Sequence, residues 1–169
     1  IGANRLLFLP YLMGERTPHF DADCRGTFVG LSAIHSKNDV ARSVIEGVSY
    51  SLCNCIDLLR TLHVVPERIY ACGGGSASAF WREMLADVFN CAVCTLKYTE
   101  GAALGAAILG SVACGYYSSV AEASKAMIST EGTTVEPSMD KHLMYEKFYE
   151  VYNTLYAALK NSYALLQSV

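Results

Sequence analysis

Three consecutive glycines between an apolar run and a helical pattern constrain this chain more than any other feature. Arg68 to Ala71 reads as a strand, Gly73, Gly74 and Gly75 break it, and a helical pattern opens at Ser76 or Ser78. Glycines at such a junction let the backbone come close to another group with no Cβ in the way. The helix that follows offers free N–H groups and a partial positive charge at its start, which suits phosphate or ribose oxygens. The segment is not a P-loop, because no Gly-Lys-Ser/Thr follows, and it is not the dinucleotide G-x-G-x-x-G pattern. Read alone, it is either half of a nucleotide site or a tight strand-to-helix turn with a serine N-cap.

Alternation continues past the turn. Strand Arg68–Cys72 leads into helix Ala77–Phe89, and strand Ala92–Leu96 leads into helix Gly101–Ala113. That order calls for an α/β layered sheet with crossover helices. Small residues at Gly101, Ala102, Gly105, Ala106 and Gly110 predict that the second helix lies close against a neighbour. Upstream, Leu6 to Leu12 is an apolar run broken by Pro10, an edge strand or extended segment, and Thr27 to Leu31 reads as a buried strand. Ser36 as N-cap with Asp39 in the first turn starts a long helix. Its buried stripe is expected at Val40, Val44, Ile45, Val48, Leu52, Ile56, Leu59 and Leu62, down to the Val65-Pro66 break. Downstream of Gly115 come a short helix, Ser119 to Ile128, a polar loop, Ser129 to Pro137, and a terminal amphipathic helix over 138–168. Leu143, Tyr145, Phe148, Tyr152, Leu155, Tyr156, Leu159, Tyr163 and Leu166 form its stripe, a packing face with tyrosine hydroxyls at the wet rim.

Composition removes several function classes. With 52% hydrophobic and 17% charged residues the chain can build a core and is not disordered. Thirteen basic against 16 acidic residues give a net charge of −3, which points away from nucleic acid and anionic membranes. No apolar run reaches the length of a membrane span, and Ile1 to Arg5 is no signal peptide, so a cytoplasmic location is expected. Cys91-x-x-Cys94 lacks two further ligands for zinc and lies on an apparent strand rather than at a helix N-terminus. Reduced cysteines acting as small hydrophobes are the expectation, with Cys53 and Cys55 on different helix faces and no metal site. Glu15 and Arg16 with His19 put a carboxylate beside a histidine, which is either acid/base machinery or a structural loop, and Asp21 with Asp23 reads as a solvated turn rather than a metal pair. His35, His63 and His142 lack partners at ligand spacing, and Glu100 reads as a charge at the start of the small-residue helix.

Three stretches, in order, resemble the FGGY family of carbohydrate kinases and its xylulokinase branch. The first runs from Leu7 through Pro10, Gly14-Glu15-Arg16-Thr17-Pro18 to His19. The second, Gly26-x-Phe28-x-Gly30-Leu31 followed by Asp39-Val40 and Ser43-Val44-Ile45-Glu46, fits the family's C-terminal signature. The third is Gly73 to Arg82, followed by Glu100-Gly-Ala-Ala-Leu-Gly-Ala-Ala. The resemblance spans most of residues 6–115 and implies an actin-like (ribonuclease-H-like) ATPase domain, partial, with a mixed sheet and helices on both faces. Residues 1–169 are then expected to be the C-terminal domain of such a kinase, incomplete at its N-terminus.

Such kinases bring ATP and sugar together in a cleft between two domains. The resemblance implies backbone contact of Gly73, Gly74 and Gly75 with ATP, near adenosine or the α-phosphate, with Ser76 and Ser78 as polar neighbours. Ala79 stands where some relatives carry Asn, so no side chain there can bond adenine. The catalytic Asp and most of the Mg²⁺ site are expected in the N-terminal domain of the same polypeptide, and no catalytic residue is assigned here. The implied reaction moves the γ-phosphoryl of ATP to a hydroxyl of a ketopentose such as D-xylulose. A gluconate, ribulose or glycerol kinase, or a non-catalytic actin-like nucleotide-binding or interaction domain, are the alternatives. Implied partners are ATP/ADP, the sugar and the N-terminal domain; the isolated chain is expected to be inactive. An incomplete sheet leaves a strand edge open, so self-association as a homo-oligomer, or filling of the gap by Leu6 to Leu12, is expected.

Overall fold

The computed structural model describes residues 1–97, 101–129 and 132–168. It divides into two compact units, one of Ile1–Val65, Asp87–Asn90 and Pro137–Val169, the other of Pro66–Ala86 and Cys91–Glu136.

The first unit opens with a 3-10 turn, Ala3–Arg5, in which three successive non-glycine residues hold positive φ, at 39°, 54° and 71°. L-residues resist that region. Three ties hold it: Gly2 N–H donates to Glu46 Oε1 at 2.9 Å, Asn4 Nδ2 donates to Asp39 Oδ1 at 2.8 Å, and His35 Nε2 shares a hydrogen bond of 3.1 Å with Asn4 O. Strand β1, Leu7–Leu9, then pairs antiparallel with β2, Thr27–Val29. β1 is wholly buried, whereas β2 is not the buried strand expected, since Phe28 is 39% exposed. A two-stranded ribbon covers one face only: Phe28 meets Phe8, with ring centroids 4.5 Å apart, and turns its other face to solvent.

Helix α1, Lys37–Thr61, begins at the capping box of Ser36 and Asp39, as its sequence requires. Its inward face differs from the anticipated apolar stripe. Ser43, Glu46, Gly47, Ser49, Tyr50, Cys53 and Ile56 are buried, while Leu52, Leu59 and Leu62 are exposed. The reason is the close approach of β1, for a Cβ on Gly47 would overlap the Phe8 carbonyl oxygen. Only small side chains admit a strand's backbone that closely.

The long helix α5, Met139–Gln167, packs through tyrosines rather than leucines: Tyr145, Tyr152 and Tyr163 are buried, Leu143 and Leu166 exposed. The hydroxyls are tied to neighbouring elements, in the interior at Tyr152 and only partly buried at Tyr145, Tyr149 and Tyr163. Tyr145 Oη accepts from Arg42 Nη2 at 3.1 Å, and Tyr149 Oη accepts from Asn54 Nδ2 and donates to Asp57 Oδ2, both at 2.6 Å. Tyr152 Oη shares 3.2 Å with Tyr11 Oη, and Tyr163 Oη shares 3.0 Å with Thr27 Oγ1. Facing elements present small and polar groups, so the contact is built from directed bonds. Burial pushes the Tyr11 and Tyr145 phenols up to about 12.

In the second unit β3, Arg68–Ala71, lies parallel to β4, Ala92–Thr95, and β5, Thr134–Val135, adds antiparallel on the far side of β4. The sheet is thus mixed, in the order β3-β4-β5, with Val93 of the central strand fully buried. β5 falls within the expected polar loop, being only two residues long and too short to show alternation. Leu7–Leu9 does not fill the β3 edge, because its partner is β2. Helix α2, Ala79–Phe89, follows the glycine turn, and α3, Gly101–Ala113, is followed by α4, Val120–Met127. The small residues of α3 are not tightly packed along their length: a Cβ would meet Cys72 Sγ at Gly101, but nothing within 4 Å at Gly105 or Gly110. Glu100 lies outside the described residues.

Candidate functional site: the glycine turn after β3

β3 ends at Ala71, and the chain passes through exposed Cys72 into Gly73, whose φ of 82° and ψ of 178° are a conformation essentially confined to glycine. Gly74–Ala77 then form a single 3-10 turn. Its carbonyls turn inward. Gly73 O accepts from Ser76 N–H at 3.1 Å and from Ser76 Oγ at 2.7 Å, and Gly75 O accepts from Ser78 N–H at 3.2 Å. Ser78 caps α2, its Oγ accepting from Trp81 N–H at 3.3 Å and its carbonyl from Arg82 N–H at 3.0 Å. The N–H groups of Gly74 and Gly75, at the start of the turn, have no partner inside it, as in any helical first turn.

The five residues singled out in the sequence divide into different roles. Gly73 and Gly74 are exposed, with no heavy atom within 4 Å of the place a Cβ would take. Gly75 is half-buried because the Trp81 ring covers it; a Cβ there would come within 2.8 Å of Trp81 Cε3. Ser76 is buried and spends its hydroxyl on the turn, while Ser78 is exposed. Trp81 and Arg82 shape the turn from α2, a role their sequence positions alone do not announce. The open ground before Gly73 and Gly74, faced by backbone donors at a helix start, fits a ligand bearing phosphate or ribose oxygens.

Glu15, Arg16 and Asp21 of the other unit line an open hollow of about 490 Å³ formed by Met13 to Arg16 and Phe20 to Ala22. Its two carboxylates and the neighbouring His19 are engaged with structure. His19 stacks on Tyr156 at 3.6 Å and shares a 3.0 Å hydrogen bond with Tyr11 Oη; burial lowers its pKa against the pull of Glu15 and Asp21. Tyr156 Oη donates to Asp21 Oδ2 at 2.8 Å, and Asp23 N–H donates to Asp21 Oδ1 at 2.8 Å, which together hold the Asp21 carboxyl below its ordinary range. Glu15 Oε1 accepts from Arg16 N–H at 2.7 Å. His142 Nδ1 meets Asp87 O at 2.9 Å, His35 sits against Ser32, and His63 is exposed at the end of α1. Cys91 and Cys94 are buried, with Cys91 Sγ donating to Pro66 O at 3.4 Å and Cys94 Sγ 3.4 Å from Thr134 Oγ1. Among the described residues no three His, Cys, Asp or Glu gather to hold a metal ion.

Comparison with known proteins sets this geometry in a family. The family described as the C-terminal domain of the FGGY family of carbohydrate kinases matches residues 2–114. The chain is 43% identical over its whole length to a xylulose kinase of Staphylococcus epidermidis, of which it covers 34%. Among solved structures it is similar to the ligand-bound xylulose kinase of Lactobacillus acidophilus, at 34% identity and a TM-score of 0.87, over 98% of this chain and 33% of that one. The gluconate kinase of Lactobacillus acidophilus is similar to the same degree, at 34% identity and 0.86. The chain spans about a third of the length of the curated relatives it matches. Among the described residues no helix is long and apolar enough to cross a membrane. With its mixed sheet, its glycine turn and these likenesses, the chain belongs to the FGGY family of carbohydrate kinases and has their actin-like ATPase fold.

Proposed function

We propose that residues 1–169 form the nucleotide-binding part of a longer sugar kinase. That enzyme transfers the γ-phosphoryl of ATP to a hydroxyl of a ketopentose such as D-xylulose. The observation that carries this reading is the Gly73–Ser78 turn, with its glycine-only backbone, inward carbonyls and open outer face. Gly73, Gly74 and Gly75 line the nucleotide with backbone, Ser78 offers a hydroxyl at the exposed start of α2, and Ser76 holds the turn in shape. Bound ATP supplies the transferable phosphoryl group. This chain's share is binding and orientation, which in phosphoryl transfer is most of the protein's work. The carboxylate that takes the sugar's proton, and the groups that hold Mg²⁺, are assigned to the remainder of the polypeptide, so the chain by itself does not turn over.

Xylulose is favoured by the names of the relatives at 34–43% identity; the similar gluconate kinase makes gluconate the second reading. The structure carries its own probe of the nucleotide site. Cys72 and Cys114 are the two exposed cysteines, and only Cys72 adjoins Gly73. In the full-length protein MgATP slows alkylation of Cys72, read by mass spectrometry, and leaves Cys114 unchanged. Equal rates at Cys72 with and without MgATP refute the site. A coupled assay with D-xylulose, gluconate and glycerol then identifies the acceptor.

A further inference from the structure

We propose that Arg82 is a positioning residue of the nucleotide turn, an inference that rests on the site proposed above. Arg82 lies in the first turns of α2 and reaches back to the turn that precedes its own helix. Its Nη1 donates to the carbonyl oxygen of Ser76, and its backbone N–H donates to Ser78 O at 3.0 Å. Its Nε is buried with no hydrogen-bond partner. A buried donor left without a partner is unfavourable and rare in folded proteins. An arginine held in that state marks a geometry kept for another reason.

The reason lies in what the turn must do. Three successive glycines are the most mobile backbone a chain can contain. In a trans peptide the N–H points opposite the carbonyl, so a hold on Gly73 O directs Gly74 N–H, and a hold on Ser76 O directs Ala77 N–H and closes the far end of the turn. Ser76 ties Gly73 O twice, through N–H and Oγ, but nothing within the 3-10 turn itself ties the carbonyl of Ser76. Arg82 supplies that tie, and Trp81 covers Gly75 from the same helix. Without the guanidinium the Ser76 carbonyl is free to rotate toward the face where ligand oxygens bind, setting oxygen against oxygen. The guanidinium also places a fixed positive charge behind a turn that receives an anion. Arg82 thus acts through the turn and touches no ligand.

The test uses the full-length enzyme. Replacing Arg82 by Ala is expected to raise KM for ATP about tenfold or more, as a ligand must now order the loop itself. It leaves KM for the sugar unchanged and lowers kcat at saturating ATP far less. Arg82→Lys, which can reach the carbonyl with one donor, restores part of the ATP affinity, as does added ethylguanidinium on the Ala variant. Alkylation of Cys72 without nucleotide speeds up in the Ala variant, which reports the loosened turn independently of turnover. The proposal is overturned if KM for ATP stays at the wild-type value, or if both KM values and kcat shift alike. If the Ala variant does not fold, the Lys variant decides, and wild-type ATP affinity with an unchanged Cys72 rate in it overturns the proposal. Failure of MgATP to protect Cys72 in the wild type removes the nucleotide site itself, whereas protection in both wild type and Ala variant at equal ATP concentration removes only the role of Arg82.

Discussion

Replacing Gly47 by Ala sets two opposed effects against each other, and the structure decides the sign. In an unhindered helix interior the change stabilises by about 1 kcal/mol, because glycine has the greater backbone freedom to lose. At Gly47 the new methyl would overlap the Phe8 carbonyl oxygen and stand 3.0 Å from the Phe8 carbonyl carbon and 3.3 Å from its Cβ. These are strand atoms and cannot swing aside as a side-chain tip does. β1 would have to lift off α1, and it carries Leu7 and Leu9, which are 5% and 0% exposed. A clash with strand backbone falls in the upper part of the usual overpacking cost, about 2–3 kcal/mol, so after the gain of about 1 kcal/mol the net effect is a loss of about 1–2 kcal/mol. Gly105→Ala in α3, where nothing lies within 4 Å, provides the control and gains about 0.5–1 kcal/mol. Urea denaturation of the two variants, with hydrogen exchange on α1 and α3 to separate the two units, reads both changes. Shifts of the same sign in the two variants, or a Gly47→Ala protein as stable as the parent, would refute the packing of β1 on α1.

Two further outcomes follow from the backbone and the phenols. Arg5 holds a φ of 71°, so Arg5→Gly relieves a left-handed residue and is expected to stabilise by about 0.5–1 kcal/mol after glycine's own entropy loss, seen as a higher urea midpoint; a lower midpoint would contradict it. Burial raises the phenols of Tyr11, Tyr50, Tyr145, Tyr149, Tyr152, Tyr156 and Tyr163, those of Tyr11, Tyr145 and Tyr156 to about 12. Between an unfolded pKa of about 10 and these folded values the native state binds more protons than the unfolded one, so stability falls as pH rises through that window. Absorbance at 295 nm should show these phenols ionising only as the protein unfolds; full ionisation with intact circular dichroism at pH 10.5 would count against the buried network.

Local chemistry was readable from the sequence, and contacts between distant segments were not. The start of α1 depends on Ser36 and Asp39, which cap the same turn, and it lies where those residues put it. The inward face of α1 depends on β1, some forty residues away in the chain, and hydrophobic spacing chose Leu52 and Leu59 over the buried Ser43, Ser49 and Gly47. Periodicity marks the tyrosines of α5 as a packing face but carries no information about the partners of their hydroxyls, which are Arg42, Asn54, Asp57 and Thr27 on other elements. β5 escaped for a different reason. Its two residues are defined by pairing with Val93 and Cys94 rather than by any pattern of their own.

The glycine turn shows the same division within a single site. Its three glycines are legible because each answers a backbone demand, though not the same one. Gly73 needs a φ of 82°, Gly75 needs room beneath Trp81, and Gly74 presents bare backbone to open space. What makes the turn specific is harder to see, because glycine supplies donors and freedom but no restraint. The restraint comes from Ser76 folding onto Gly73 and from Arg82 reaching back to Ser76. In sequence the only trace of the second tie is a long donor four residues after an N-cap serine, at the spacing that brings one helical turn back over its start. A glycine-rich turn therefore has to be read together with the side chains of the helix it opens, since Arg82 and Trp81 hold the turn on which its bare backbone is displayed.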